Sequence, residues 1–395
     1  MAQAAETASP VDRALRAQVE EIARTVVARH SDAVDGEARF PEEAMAALKQ
    51  ARLLSAYVPV AMGGGGCSLG DLIGACEVLA EHCASTAMIF AMHQIEVVCL
   101  VHHGLSSPWF CGYLRRVAAS QRLIASVTSE VGMGGSLRTS VCAVERQHER
   151  FRLIKDATTI SYGVQADDLL FTARAAMDAA PGDQVLLLLQ RDDFQLKRLG
   201  RWDALGMRGT CSAGGLVEGV ASVEQILPAP FGEIAAETMV PVSHLLWSAV
   251  WCGIASSAVG RAAAWVRAEA RKKPGTMPPA ALRLAEVHAE LQAMRASVSA
   301  LASEYQTLRS DPARSGEISA MAFAVRVNNL KVSASRAVSR IVEAALQICG
   351  IHGYKNDSPF SVARQLRDGL SASLMVANDR IYAANASALL VQKEI

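Results

Sequence analysis

Apolar residues at Val11, Leu15, Val19, Ile22 and Val26 recur every three or four positions, which predicts an amphipathic helix. Ser9-Pro10 just before them is a helix-start pair, a hydroxyl cap followed by a residue with preset φ. "FPEEAMAALKQARLL" repeats the helical pattern, and "GGGG" at 63–66 breaks it. The run from Ser68 to Gly104 is apolar nearly all round, the mark of a helix buried on most sides. Near Leu123 the pattern changes. "RFRLIKDATTISYG", "DDLLFTARAAM", "DQVLLLLQR" and "GGLVEGVASVEQIL" are short β-rich runs between Asp, Gly and Pro turns. They predict a small β-barrel or sandwich. Helix returns near Pro241. Val287, Leu291, Met294, Val298 and Leu301 alternate steps of four and three, a bundle seam, and "KKPGTMPP" is a loop between two helices. The expected fold class is α+β with three parts: a helical domain over 1–123, a β domain over 124–231 and a helical bundle over 232–395.

Lys plus Arg and Asp plus Glu both number 39, so the formal net charge is zero. That excludes the broadly basic surface needed for non-specific nucleic-acid binding. The nine cysteines are scattered without CxxC spacing, and most sit in apolar runs as small buried hydrophobes. No basic segment followed by an apolar one opens the chain, and no 18-residue window is both uncharged and wholly apolar. The expectation is a cytoplasmic protein with no membrane span and no nucleic-acid partner. No GxGxxG joins a strand to a helix, so no Rossmann site is expected. No metal site is expected either.

Six stretches in order resemble the acyl-CoA dehydrogenase family across nearly the whole chain. They are "LLSAYVPVAMGGGGCSLGDL" with "LAEHCASTAMIF", "SVTSEVGMGGSLRTS", "ATTISYGVQADDLLFTAR", "RWDALGMRGTCSAGGLVEGVASVEQILP", "ARKKPG", and "ALQICGIHGYKNDSPFSVARQLRDGLSASLMVAN". The resemblance implies that family's fold, with a β-barrel between the N-terminal helices and a C-terminal four-helix bundle. It implies FAD as cofactor and an acyl thioester, on CoA or a carrier protein, as substrate. An electron-transfer partner or oxygen would reoxidise the flavin. By the same resemblance Ser129 and Ser161 match hydroxyls that contact the flavin ring, and Gly134 lets the backbone approach it. The family's tryptophan before that second hydroxyl is Thr159 here. Arg271, Gln347, Gly350, Gly353 and Asn378 match positions around the cofactor, some reaching it from a neighbouring subunit, which implies a dimer or tetramer. Pro274 replaces the aromatic residue that follows the family's arginine.

The family's catalytic glutamate falls on Val376, and its alternative position on the helix opening the bundle falls on His244 or Leu245. Neither position carries an acid. Removing the α-proton of a thioester calls for a base of suitable pKa in a dry pocket. Three readings follow. His244 is the base, or Asp379 or Glu130 enters from a shifted loop. Otherwise the chemistry needs no α-proton removal, as in flavin monooxygenases with this fold. His93, Trp247 and Trp251 are the expected walls of a substrate pocket for a short or flat molecule.

Overall fold

The structure, a computed structural model, describes residues 10–133 and 137–391, with side chains from residue 15 onward. Helix α1 (Pro10–Ile22) runs through a π turn at Ala23–Val27 into α2 (Ala28–Gly36). Then come α3 (Glu42–Gln50), α4 (Leu69–His82), α5 (Ala84–Gly104) and α6 (Pro108–Ser120). Ser68 caps α4 through a reciprocal bond pair with Asp71, and Ser107 caps α6 ahead of Pro108. The glycine run turns at Gly63 and Gly66, both at positive φ.

Among the described residues seven strands follow: β1 (Ile124–Val127), β2 (Glu145–Gln147), β3 (Arg150–Ala157), β4 (Asp168–Arg174), β5 (Gln184–Gln190), β6 (Phe194–Leu199) and β7 (Gly214–Ser222). They form two sheets, ordered β1-β4-β5 and β2-β3-β7-β6. All pairs are antiparallel except β1 with β4. β3 alternates buried Phe151, Leu153 and Lys155 with exposed neighbours, as a strand with one covered face must. The two sheets pack face to face at Gly219, where an added Cβ would lie 2.4 Å from Leu189 Cδ1.

The C-terminal part holds α7 (Phe231–Ile234), α8 (Val240–Lys272), α9 (Ala280–Ser310), α10 (Met321–Cys349), α11 (Ile351–Tyr354), α12 (Ala363–Leu370) and α13 (Asn378–Val391). Helix begins ten residues before Pro241, the start that the sequence pattern suggests. A π turn at Ala235–Met239 joins α7 to α8 and accommodates the proline, which can neither donate nor fit inside a regular α-helix. All five residues of the predicted seam on α9 are buried.

Helices α5 and α7–α8 are long and apolar enough to span a membrane by composition alone, yet 89% and 83% of their most apolar windows are buried within the protein. α8 is the centre of the core, packed on α4, α5, α9 and α10. Where it crosses α4, Gly253 has no room for a side chain: a Cβ there would sit 2.3 Å from Glu77 O. Gly260, on the same helix, has open space, and an added Cβ would meet nothing within 4 Å. Gly253→Ala is therefore expected to cost about 1–3 kcal/mol. Gly260→Ala should be neutral or stabilising by up to about 1 kcal/mol. Thermal midpoints of the two variants against the parent check this.

Candidate active site

Residues the resemblance assigned to the flavin ring lie at the strand edges of the β domain. There a chain of hydroxyls has a fixed direction. Thr210 donates to Met207 O at 2.8 Å, so it accepts from Ser212 at 2.7 Å. Ser212, its proton used, accepts from Ser161 at 2.8 Å. Ser161 is thus left with acceptor lone pairs to offer a ligand. Ser129 is closed onto Thr159: it donates to Thr159 O at 2.7 Å and accepts from Thr159 N at 3.1 Å. Its proton is spent within the chain, which leaves it none to give in the ring contact that the resemblance implies. Gly134 lies outside the described residues. Glu130 is a loop clamp and not a base. Its carboxylate accepts from Ser140 Oγ, Val141 N and Cys142 N at 2.8, 3.0 and 2.5 Å.

The loop behind this rim is fixed from the far end of the chain. Asp368, buried on α12, accepts from Met207 N at 2.6 Å. Burial raises its carboxyl to about 6. Gly206 lies so close to Arg367 O that an added Cβ would be 2.2 Å from it. Met207 and Cys211 adopt left-handed backbone on either side of the Arg208–Thr210 turn. Arg208 donates to Asp35 O and Ala204 O, so its guanidinium braces the loop.

The opposite wall is α8. His244, Trp247, Ser248 and Trp251 stand at i, i+3, i+4 and i+7 and so share one face. His244 is buried, and its Nδ1 lies 3.3 Å from Val327 O, an acceptor, so Nδ1 carries the proton and Nε2 is free. Burial drops its pKa to about 4, with a smaller push from Lys331. Trp247 Nε1, Ser248 Oγ and Trp251 Nε1 are sealed from solvent with no hydrogen-bond partner. An unmet buried donor costs about 1–3 kcal/mol.

Facing them from α10 is Lys331, fully buried. The sequence pattern did not single it out; its signal is one charge at helical spacing from the apolar, buried Val327, Ala334 and Val338. Lys331 Nζ donates to Asn378 Oδ1 at 2.8 Å and Val376 O at 3.3 Å, and lies 5.8 Å from the Trp251 ring centre. No carboxylate pairs with it among the described residues. Burial lowers its pKa to about 8.

Val376 sits where the base was sought. It has φ +47°, unusual for a β-branched residue, and it is 46% exposed. Asp379 is exposed in the first turn of α13 and is not drawn into this wall. Asn378 corrects another expectation. Its amide is used inside the chain, accepting from Lys331 and donating to Ser335 at 3.1 Å. His93 is also corrected as a pocket wall. Its Nδ1 accepts from Ile124 N at 3.1 Å and its Nε2 donates to Leu54 O at 2.7 Å, so both nitrogens lock core backbone.

Arg271, Gln347 and Gly350 lie at the end of the bundle and are exposed, while Gly353 is buried against Cys349. A second residue missed from sequence is the acid Glu96 on α5. It is buried, bonded to Ser126, raised to about 8 by burial, and its Oε2 has no partner. Among the described residues, one group of metal-ligand types comes together, with ligand atoms of His103, Glu233 and Glu237 within 4.8 Å of one another. There Thr238 occupies His103 Nε2, and Arg309 lies 3.5 Å from Glu237.

Residues 9–107 match the N-terminal domain of acyl-CoA dehydrogenases and residues 233–376 match their C-terminal domain. The chain belongs to the acyl-CoA dehydrogenase family and is an oxidoreductase of that family. It is 23% identical over 368 residues to cyclohex-1-ene-1-carbonyl-CoA dehydrogenase of Geobacter metallireducens, covering 92% of this chain and 93% of that one. A shorter stretch of 93 residues is 37% identical to a probable acyl-CoA dehydrogenase of Mycobacterium leprae and spans only 23% of each chain. The solved structure of dibenzothiophene monooxygenase from Paenibacillus sp. A11-2 superposes with TM-score 0.79 at 20% identity, covering 96% of this chain and 97% of that one.

Buried histidines set a pH dependence of stability. His93, His102, His103 and His244 are lowered to about 4, 3, 4 and 4, in each case chiefly by burial. Each contributes stability above the unfolded value near 6.5 and loses it as pH falls toward its folded value. Glu96 and Asp368, both raised, act with the opposite sign and lose their contribution as pH rises. His93→Gln isolates one histidine. The gap in stability between parent and variant should shrink by about 3 kcal/mol from pH 7 to pH 4. Denaturant midpoints across that range measure it.

Proposed function

We propose that this protein is a flavin-dependent oxygenase on the acyl-CoA dehydrogenase scaffold, taking reduced flavin and dioxygen to oxygenate a small, flat substrate. One observation carries the reading: no carboxylate stands at either base position, and a buried ammonium, Lys331, lies beside Val376 instead. His244 is a poor substitute, because an imidazole whose conjugate acid has a pKa of about 4 is mismatched to a thioester α-proton. The monooxygenase named above shares the fold, which supports the choice.

The hydroxyl and amide rim around Ser161, Ser212 and Thr210 is uncharged and fits an isoalloxazine ring, whether of FAD or FMN. When bound, the flavin would supply two electrons to dioxygen. One oxygen atom would enter the substrate and the other leave as water. Ser161 would accept from a ring N–H, and Asp368 would hold the rim loop in place through Met207. Trp247 and Trp251 would cover the substrate and keep water out. Arg271, Gln347 and Gly350 would meet the cofactor's phosphate end from the surface of a neighbouring copy, so a homo-oligomer in the cytoplasm is part of the proposal.

A second reading is α,β-dehydrogenation of an acyl thioester on CoA or a carrier protein, with electrons passed to a partner protein. The free Nε2 of His244 favours it, as does the dehydrogenase relative aligned along nearly the whole chain. An anaerobic visible spectrum of the flavin-loaded protein, titrated with short acyl thioesters, separates the two. The proposal expects no loss of flavin absorbance. It also expects an added oxygen atom, seen by mass spectrometry, when chemically reduced enzyme meets air and a panel of flat aromatic acids and phenols. Bleaching by a thioester, lost in His244→Ala, would overturn it in favour of dehydrogenation.

A further inference from the structure

The α8–α10 wall supplies donors and almost nothing else. Trp247 Nε1 and Trp251 Nε1 can only donate, and Ser248 Oγ is unpartnered beside them. Trp251 and Ser248 are fully buried. Lys331 adds a cation with no anionic partner among the described residues, and two of its three protons are already placed. Two carboxylates that the sequence or the burial pattern brings into question, Asp379 and Glu96, do not neutralise it: Asp379 is exposed, and Glu96 bonds Ser126. A hydrocarbon tail would leave all of these donors unmet. A ligand rich in acceptors would meet them, and a negative one would also balance the buried charge.

We propose that this wall is an anion subsite, in which a flat aromatic or conjugated substrate lies along Trp247 and Trp251 and places a carboxylate or phenolate oxygen against Lys331 and Ser248. The inference rests on the reading of a substrate site on α8, and it names the substrate class for that site. It also gives Lys331 two tasks. One proton each goes to Val376 O and Asn378 Oδ1, which pins the segment before α13. The third is directed by the substrate. Lys331 is then a specificity-determining residue, and Ser248 and Trp251 reinforce it.

Isothermal titration with benzoate, benzamide and toluene tests this, on protein with and without bound flavin, the flavin content read from absorbance. Benzoate should bind better than benzamide, and toluene should gain nothing from Lys331. Lys331→Met should weaken benzoate at least about 10-fold, the loss of a charged hydrogen bond. Because that change also frees the 376–378 segment, Ser248→Ala and Trp251→Phe serve as milder probes. Ser248→Ala keeps the packing, Trp251→Phe keeps an aromatic ring while removing the N–H donor, and each should weaken benzoate about 3-fold or more while leaving toluene unchanged. Equal benzoate affinity across parent and all three variants, or no benzoate binding at all in folded protein, would overturn the subsite. Protein that binds benzoate through Lys331 yet takes up no flavin would uphold the subsite and defeat the functional reading instead.

Discussion

A helix buried on nearly every side has no solvent in which to hide a polar group. α8 is such a helix, packed on α4, α5, α9 and α10. Its crossing with α4 is tight enough to require Gly253. On that helix a polar atom must be bonded internally, be costly, or wait for a ligand. His244 takes the first course through Val327 O. Trp247, Ser248 and Trp251 do not. These three donors share one helix face, and Trp251 on that face lies 5.8 Å from the buried Lys331, which is the ground for proposing a site here.

The other half of the site depends on long-range wiring. Asp368 on α12 fixes Met207, Met207 O receives both Thr210 and Trp202, and the hydroxyl series runs on to Ser161. A residue near the C-terminus thereby sets the orientation of a hydroxyl on a strand edge roughly two hundred positions earlier. The cost of ordering such wiring is offset by burial, which strengthens each bond, since Asp368, Thr210 and Ser212 are all sealed. Val376, by contrast, is half-exposed and held through its carbonyl.

Much of this was legible in the sequence, for a physical reason. The helical seam of α9, the helix that begins at Pro10 and the strand runs depend on local periodicity, and the structure shows them. The π turn before Pro241 was not legible, because nothing local distinguishes it from a helix start. Of the candidate site, His244 was singled out by position on the family pattern, and Trp247 and Trp251 by their spacing of one turn on the same helix. Lys331 was missed because a single lysine on a bundle helix reads as a solvated charge, and its burial is decided by where α8 and α13 land. Ser129, Asn378 and His93 were read as ligand contacts, and tertiary packing had already used their hydrogen bonds. A polar residue's type is visible in sequence; whether its valence is free is not.

The proposed oxygenase chemistry needs no base that removes a proton from carbon. The most direct measurement is deuterium uptake at Cα of butyryl-CoA, incubated with the flavin-loaded protein in deuterated buffer without oxygen and followed by mass spectrometry. Exchange requires only that a residue remove the proton, even if no hydride follows. A protein without such a base gives no exchange above the rate without protein, and that is the expected result. Rapid exchange that disappears in His244→Ala would contradict it and restore the dehydrogenase chemistry to this fold.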